Sequence, residues 1–98
     1  MYIAKVIGHI VATKKDQRLV GYKLLIVNPV SLNKNVSDKI HVAVDVVGAG
    51  IGEIVLVADG SSARIAINEP NSPVNAAIIG IVDNWEGESN EDIHQERG

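Results

Sequence analysis

The stretch VVGAGIGEIVLVADG, Val46 to Gly60, can be read in two ways that lead to different folds. A dinucleotide-binding turn has the spacing G-x-G-x-x-G between a strand and a helix. Here the glycines fall at Gly48, Gly50 and Gly52, and Glu53 stands where the third fingerprint glycine belongs. The run that follows, IVLVADG, is β-branched and breaks at Asp59-Gly60, so it reads as a strand. Without a helix there are no aligned N–H groups and no positive dipole end to hold a pyrophosphate. No G-K-[ST] follows, so a Walker A loop is excluded as well. The glycines then serve backbone geometry: positive φ and close approach. Two uses fit. One is a tight, irregular connection or bulge between strands. The other is a flat backbone that packs against another subunit or lines a narrow opening.

Outward from this stretch, the chain alternates. From Tyr2 to Thr13 the even positions, Tyr2, Ala4, Val6, Gly8, Ile10 and Ala12, are all apolar or small. Period two with β-branched residues predicts a strand with one buried face. Lys14 to Gly21 is a polar loop. Further strands are expected over Tyr22–Val27, His41–Val47, Glu53–Ala58 and Ala76–Trp85. Ser31 to Lys39 and Glu69 to Pro73 read as loops, and Ser61 is placed to cap a short helix through Ala63 and Arg64. The connections are mostly too short for the crossovers a parallel sheet needs. The economical closure is an all-β, five-stranded antiparallel OB-like barrel with one short helix, because a barrel removes free edges. Residues 1–85 form that barrel domain. Residues 86–98 carry five acids against Arg97, offer little to bury, and are expected to be a flexible acidic tail.

Composition narrows the chemistry. A chain of 98 residues is one domain by default and buries roughly two thirds of its unfolded surface. The aromatics are Tyr2, Tyr22 and Trp85, too few for a base-stacking platform. With no cysteine there are no disulfides, zinc-thiolate sites or thiol nucleophiles. A small domain without such staples gains stability by oligomerising. No apolar run is long enough to span a membrane, and the opening MYIAKVIGHIVATKK lacks a signal-peptide pattern. The expectation is an intracellular, soluble protein. Its body is near neutral and lacks the clustered Lys and Arg of a nucleic-acid footprint.

Candidate catalytic groups do not assemble. DGSSAR is not the G-x-S-x-G of a nucleophile elbow, and turn or cap use of Ser61 and Ser62 is the simpler reading. His41 and Asp45 share a strand face but stand roughly 13 Å apart along it, too far to touch. Asp45, Glu53, Asp59 and Asp83 flank apolar runs, where acids commonly satisfy turn N–H groups or pair with cations. Arg64 is a candidate for a carboxylate pair within or between subunits. No catalytic residue, cofactor or metal ligand is assigned.

Four blocks in order carry a resemblance to a known family. They are MYIAKVIGHIVATKKDQRLVGYKLLIV (Met1–Val27), VAVDVVGAGIGE (Val42–Glu53), VLVADGSSAR (Val55–Arg64) and PVNAAIIGIVD (Pro73–Asp83). With this spacing the chain resembles the EutN/CcmL family of bacterial microcompartment shell proteins. Asn75 stands where that family often has Asp, and the tail after Trp85 does not align. The resemblance implies a small barrel, similar to an OB-fold, whose five copies form a cyclic pentamer. It implies a structural role at the vertices of a polyhedral shell in the bacterial cytoplasm, as in carboxysomes and metabolosomes, beside hexagonal shell proteins. It implies no catalysis. Under it, Gly48, Ala49, Gly50, Ile51, Gly52 and Glu53, with Ser61, Ser62 and Arg64, are expected at the pore or a subunit interface. The alternatives are a small-ligand-binding or enzymatic β-barrel and an OB-like nucleic-acid binder.

Overall fold

A computed structural model describes residues 1–31, 39–85 and 93–94. Five strands close a barrel in the order β1-β2-β3-β5-β4. They are β1 (Tyr2–Ile10), β2 (Lys23–Pro29), β3 (His41–Asp45), β4 (Ile54–Asp59) and β5 (Ala76–Ile81). A 3-10 turn, Gln17–Leu19, interrupts the first loop, and one helix, α1 (Ser61–Ala66), leads out of β4. The last expected strand is shorter than its apolar run. β5 stops at Ile81, and Asn84–Trp85 (β6) pairs separately with Ile93–His94 (β7). The other residues expected in the tail, and most of the Ser31–Lys39 loop, lie outside the described residues.

Four of the five barrel ladders are antiparallel. The fifth, β3 with β5, is parallel and has two rungs, Val44↔Ala77 and Asp45↔Ile78. The long connection through β4 and α1 supplies the crossover that a parallel pair requires. Two irregularities bend the sheet. Between Val6 and Gly8 the register against β2 skips Ile7, and between Leu56 and Val57 the register against β5 skips Ile79. Such bulges raise local twist, which a small barrel needs to close.

Period-two alternation divides the apolar residues into two clusters. The inward face holds Ala4, Val6, Leu25, Val27, Ala43, Val55, Val57, Ala76 and Ile78. This is the face expected from the even positions of β1. The outward neighbours Leu24, Val44 and Ala77 form a second cluster with Ala63, Ile67 and Val74, beneath α1. Ile78 is fully buried in the inner cluster, so Ile78→Val costs roughly 1 kcal/mol.

The helix starts differently from the expectation. Ser61 is its first helical residue, and Gly60 (φ 60°) occupies the N-cap with no side-chain cap bond. A left-handed backbone at this turn suits glycine, which has no Cβ to clash. Asn68, just past the C-terminal end, takes φ 57°, a conformation Asn tolerates better than most residues.

Candidate functional site

The segment from Asp45 to Glu53 joins β3 to β4, and its backbone is fixed mostly by two carboxylates. The N–H groups of Val47 and Gly48 donate to Asp45 Oδ1 at 3.1 Å each, and that of Ala49 donates to Oδ2 at 3.0 Å. An aspartate at the head of a turn can hold the amides that follow it. At the other end the Gly50 N–H donates to Glu53 Oε1 at 2.7 Å, and the Glu53 N–H returns to the Gly50 carbonyl at 3.2 Å. Strand-like bonds then tie the segment to β1: Gly52 N–H to the Val6 carbonyl at 2.8 Å, and Val6 N–H to the Glu53 carbonyl at 2.9 Å. Ala49 is buried in the barrel cluster, and Lys23 Nζ donates to its carbonyl at 3.3 Å.

Positive dihedrals fall on Gly48 (φ 80°) and Gly52 (φ 93°) but not on Gly50. Gly50 is instead crowded: a Cβ there would sit 3.4 Å from Glu53 Oε1. The side chains of Val46, Val47 and Ile51 stand exposed. Of the two roles open to Glu53, lining an opening or fixing the loop, its carboxylate performs the second within the subunit.

Ser61, Ser62 and Arg64 are not beside this loop. β4 separates them from it, roughly 20 Å of strand. Ser61 and Ser62 are exposed on the first turn of α1. Among the described residues, Arg64 Nη1 donates to the Val74 carbonyl at 3.1 Å, a backbone contact where a carboxylate was expected.

The other candidates have structural partners. Tyr2 hydroxyl and His41 Nδ1 are 2.8 Å apart, with the rings edge to face. The Met1 ammonium donates to Asp59 Oδ1 at 2.6 Å and holds that carboxyl below its usual range. Burial, with the Asp59 charge second, raises the Tyr2 hydroxyl. Tyr2, His41 and Asp59 line an open cavity of about 340 Å³ with Val42, Asn75 and Ala76. His41 and Asp45 therefore do separate work, as their spacing along β3 predicts. Among the described residues no group of three or more His, Cys, Asp or Glu could hold a metal ion. No helix among them is long and apolar enough to cross a membrane.

The expectation that acids beside apolar runs satisfy turn N–H groups or pair with cations holds for Asp45, Glu53 and Asp59, although it named no partners. Sequence reasoning missed the burial of Ala49, which depends on the tertiary fold.

The family model described as ethanolamine utilisation protein EutN/carboxysome matches residues 1–83. The chain is 46% identical over 87 residues to the bacterial microcompartment shell vertex protein PduN of Salmonella typhimurium, covering 85% of this chain and 96% of that protein. It is similar to the solved GrpN pentameric microcompartment shell protein from Rhodospirillum rubrum, at 46% identity and TM-score 0.81, covering 89% of this chain and 99% of that one. The solved CcmL of Nostoc is 44% identical with TM-score 0.82, covering 87% of this chain and 92% of that one.

Proposed function

The chain belongs to the EutN/CcmL family, and on that premise we propose that it is a structural shell protein of a bacterial microcompartment. Five copies close a ring, and the ring caps a vertex of the polyhedral shell in the bacterial cytoplasm. A flat hexagonal sheet cannot close on itself; pentagonal units supply the curvature. The reading rests on one observation above the rest: similarity across the barrel to shell vertex proteins, one of them solved as a pentamer.

The physical features agree. Ring closure by rotation joins two different faces of the subunit, and such faces need shape complementarity but no catalytic groups. Asp45 and Glu53 bind backbone amides, Asp59 binds the Met1 ammonium, and His41 binds the Tyr2 hydroxyl. The partners of the ring are hexagonal shell proteins. Residues 1–85 supply the vertex domain, and the acidic segment 86–98 is an appendage to it. The loop Gly48–Glu53 lies at the pore or the subunit contact, and Ser61, Ser62 and Arg64 lie at a second contact.

Native mass spectrometry of the purified chain tests the reading. A species of five 10.4 kDa chains is expected. A monomer at micromolar concentration would count decisively against it. Salt-dependent binding to oligonucleotides would instead favour an OB-like nucleic-acid binder.

A further inference from the structure

We propose that the cavity lined by Tyr2, His41, Asp59 and Asn75 binds a small neutral polyol, a solute of monosaccharide size. The site goes beyond the shell role and does not depend on it. β3 begins at His41, yet its first rung with β5 is Val44↔Ala77. The two strands therefore part toward the end of the barrel where β1 starts and β4 stops. The cavity of about 340 Å³ opens there, at the opposite end from the Val46–Glu53 loop. Ligand cavities begin near about 300 Å³, so this one suits a small solute and not a dinucleotide.

Its polar groups are set before a ligand arrives. Tyr2 and His41 stand on strands that are not neighbours in the barrel, and their side chains join at 2.8 Å. Burial raises the Tyr2 hydroxyl, so it stays protonated at neutral pH, and the bond to the Met1 ammonium keeps Asp59 ionised. Asn75 is held by its main chain. The Gly60 N–H donates to its carbonyl at 3.0 Å, and the next residue, Ala76, pairs with Asp59 across the β4–β5 ladder.

Charge decides the class of ligand. An anion at this site meets the Asp59 carboxylate, and a cation meets the Met1 ammonium bonded to it at 2.6 Å. A neutral solute escapes both repulsions. A carboxylate has about four lone-pair sites, and a carboxamide supplies two donors and an acceptor. Adjacent hydroxyls match that set: one donates to Asp59 while the next exchanges bonds with Asn75. Val42 and Ala76 offer an apolar wall to the C–H face of such a ring. A solute without hydroxyls would desolvate the polar groups and leave them unpaired.

Nuclear magnetic resonance of the full chain in its assembled form, titrated with ribose and with glucose, tests the proposal. The Gly60 amide and the Asn75 side-chain amide should shift saturably with at least one of them, with half-saturation on the order of 10 mM. Asn75→Ala and Asp59→Asn should each raise that concentration at least about fivefold, while Lys14→Ala on the first loop leaves it unchanged. Asp59→Asn also disturbs the Met1 contact, so Asn75→Ala, at an exposed position, decides if the other variant fails to fold. Shifts with both sugars that stay linear up to about 200 mM, or that spread evenly over the surface, overturn the proposal. Acetate or methylammonium saturating the same amides at equal or lower concentration overturns the neutral class. An assembled ring whose Gly60 and Asn75 signals ignore both sugars also overturns the site, because a neighbouring copy then covers the cavity. A monomeric chain that still binds a sugar strikes at the shell reading alone.

Discussion

Asp16 and Asp45 each sit at the head of a loop and accept backbone N–H groups, but their surroundings differ. In the first loop Asp16 takes the Arg18 amide at 2.9 Å and the Arg18 guanidinium at 2.9 and 2.8 Å, and Arg18 reaches the Asn71 carbonyl at 2.7 Å. All of these contacts stand in solvent. In the second loop Asp45 takes three amides, and the loop is also pinned by a buried alanine and by bonds to β1. An exposed ion pair competes with water and salt, whereas the bond from the amide of buried Ala49 to Asp45 satisfies a donor that the packed loop holds away from solvent. The same residue type is thus an ornament of one loop and the keystone of the other.

The sharpest way to break this contrast is Asp45→Ala. Losing three charge-assisted bonds at a half-buried site should reduce stability by about 3 kcal/mol, read as a lower urea midpoint at fixed protein concentration. A loss as small as that of an exposed ion pair would dissolve the distinction. Next comes Gly52→Val. A β-branched residue at φ 93° should lose about 2 kcal/mol by the same measurement. Gly50→Ala separates dihedral from crowding. Its φ is permissible for alanine, so a gain from the stiffer unfolded chain opposes the 3.4 Å contact with Glu53, and the net should stay within about 0.5 kcal/mol.

Asp16→Ala should have the smallest effect at neutral pH, and it should vanish in about 1 M salt. Acid sharpens the comparison further. The Arg18 side chain lowers the Asp16 carboxyl to about 2, and the Met1 ammonium lowers that of Asp59. Both folded-state values lie below the unfolded range near about 3.9. Their contribution is therefore full above that range and is lost as pH falls toward about 2. Unfolding midpoints measured from about pH 5 down to about pH 2 should fall less for Asp16→Ala than for the wild type.

Much of the barrel was legible in the sequence because period-two alternation is a local signal. The even positions of β1 point inward as read, and the break at Asp59-Gly60 marks the end of β4. The run after Gly52 reads correctly as a strand, which removed the phosphate-loop interpretation. What local reading missed depends on neighbours distant in sequence. The Ala76–Trp85 run looked like one strand, yet its ladder with β4 ends at Ile81. Parallel pairing of β3 with β5 has no signature in either strand. At the loop, glycine spacing announced unusual backbone but not which glycine carries it: Gly48 and Gly52 take positive φ, while Gly50 yields to a carboxylate. Ala49, set between two glycines, is a core residue, because the folded barrel gathers it into the same buried cluster as Val6 and Val55. Ser61 had the chemistry of a cap, but Gly60 had the dihedral.

The two-rung ladder between β3 and β5 gives the barrel a seam. The other four ladders have four to six rungs each, so thermal breathing should begin where the fewest bonds must part. Asp45 occupies the last rung of that seam and also clamps the loop beyond it. Opening the seam therefore unseats the loop in the same motion. Amide protons of Gly48 and Ala49 should exchange with solvent at the rate of Ile78, making the loop a gauge of whether the barrel is shut.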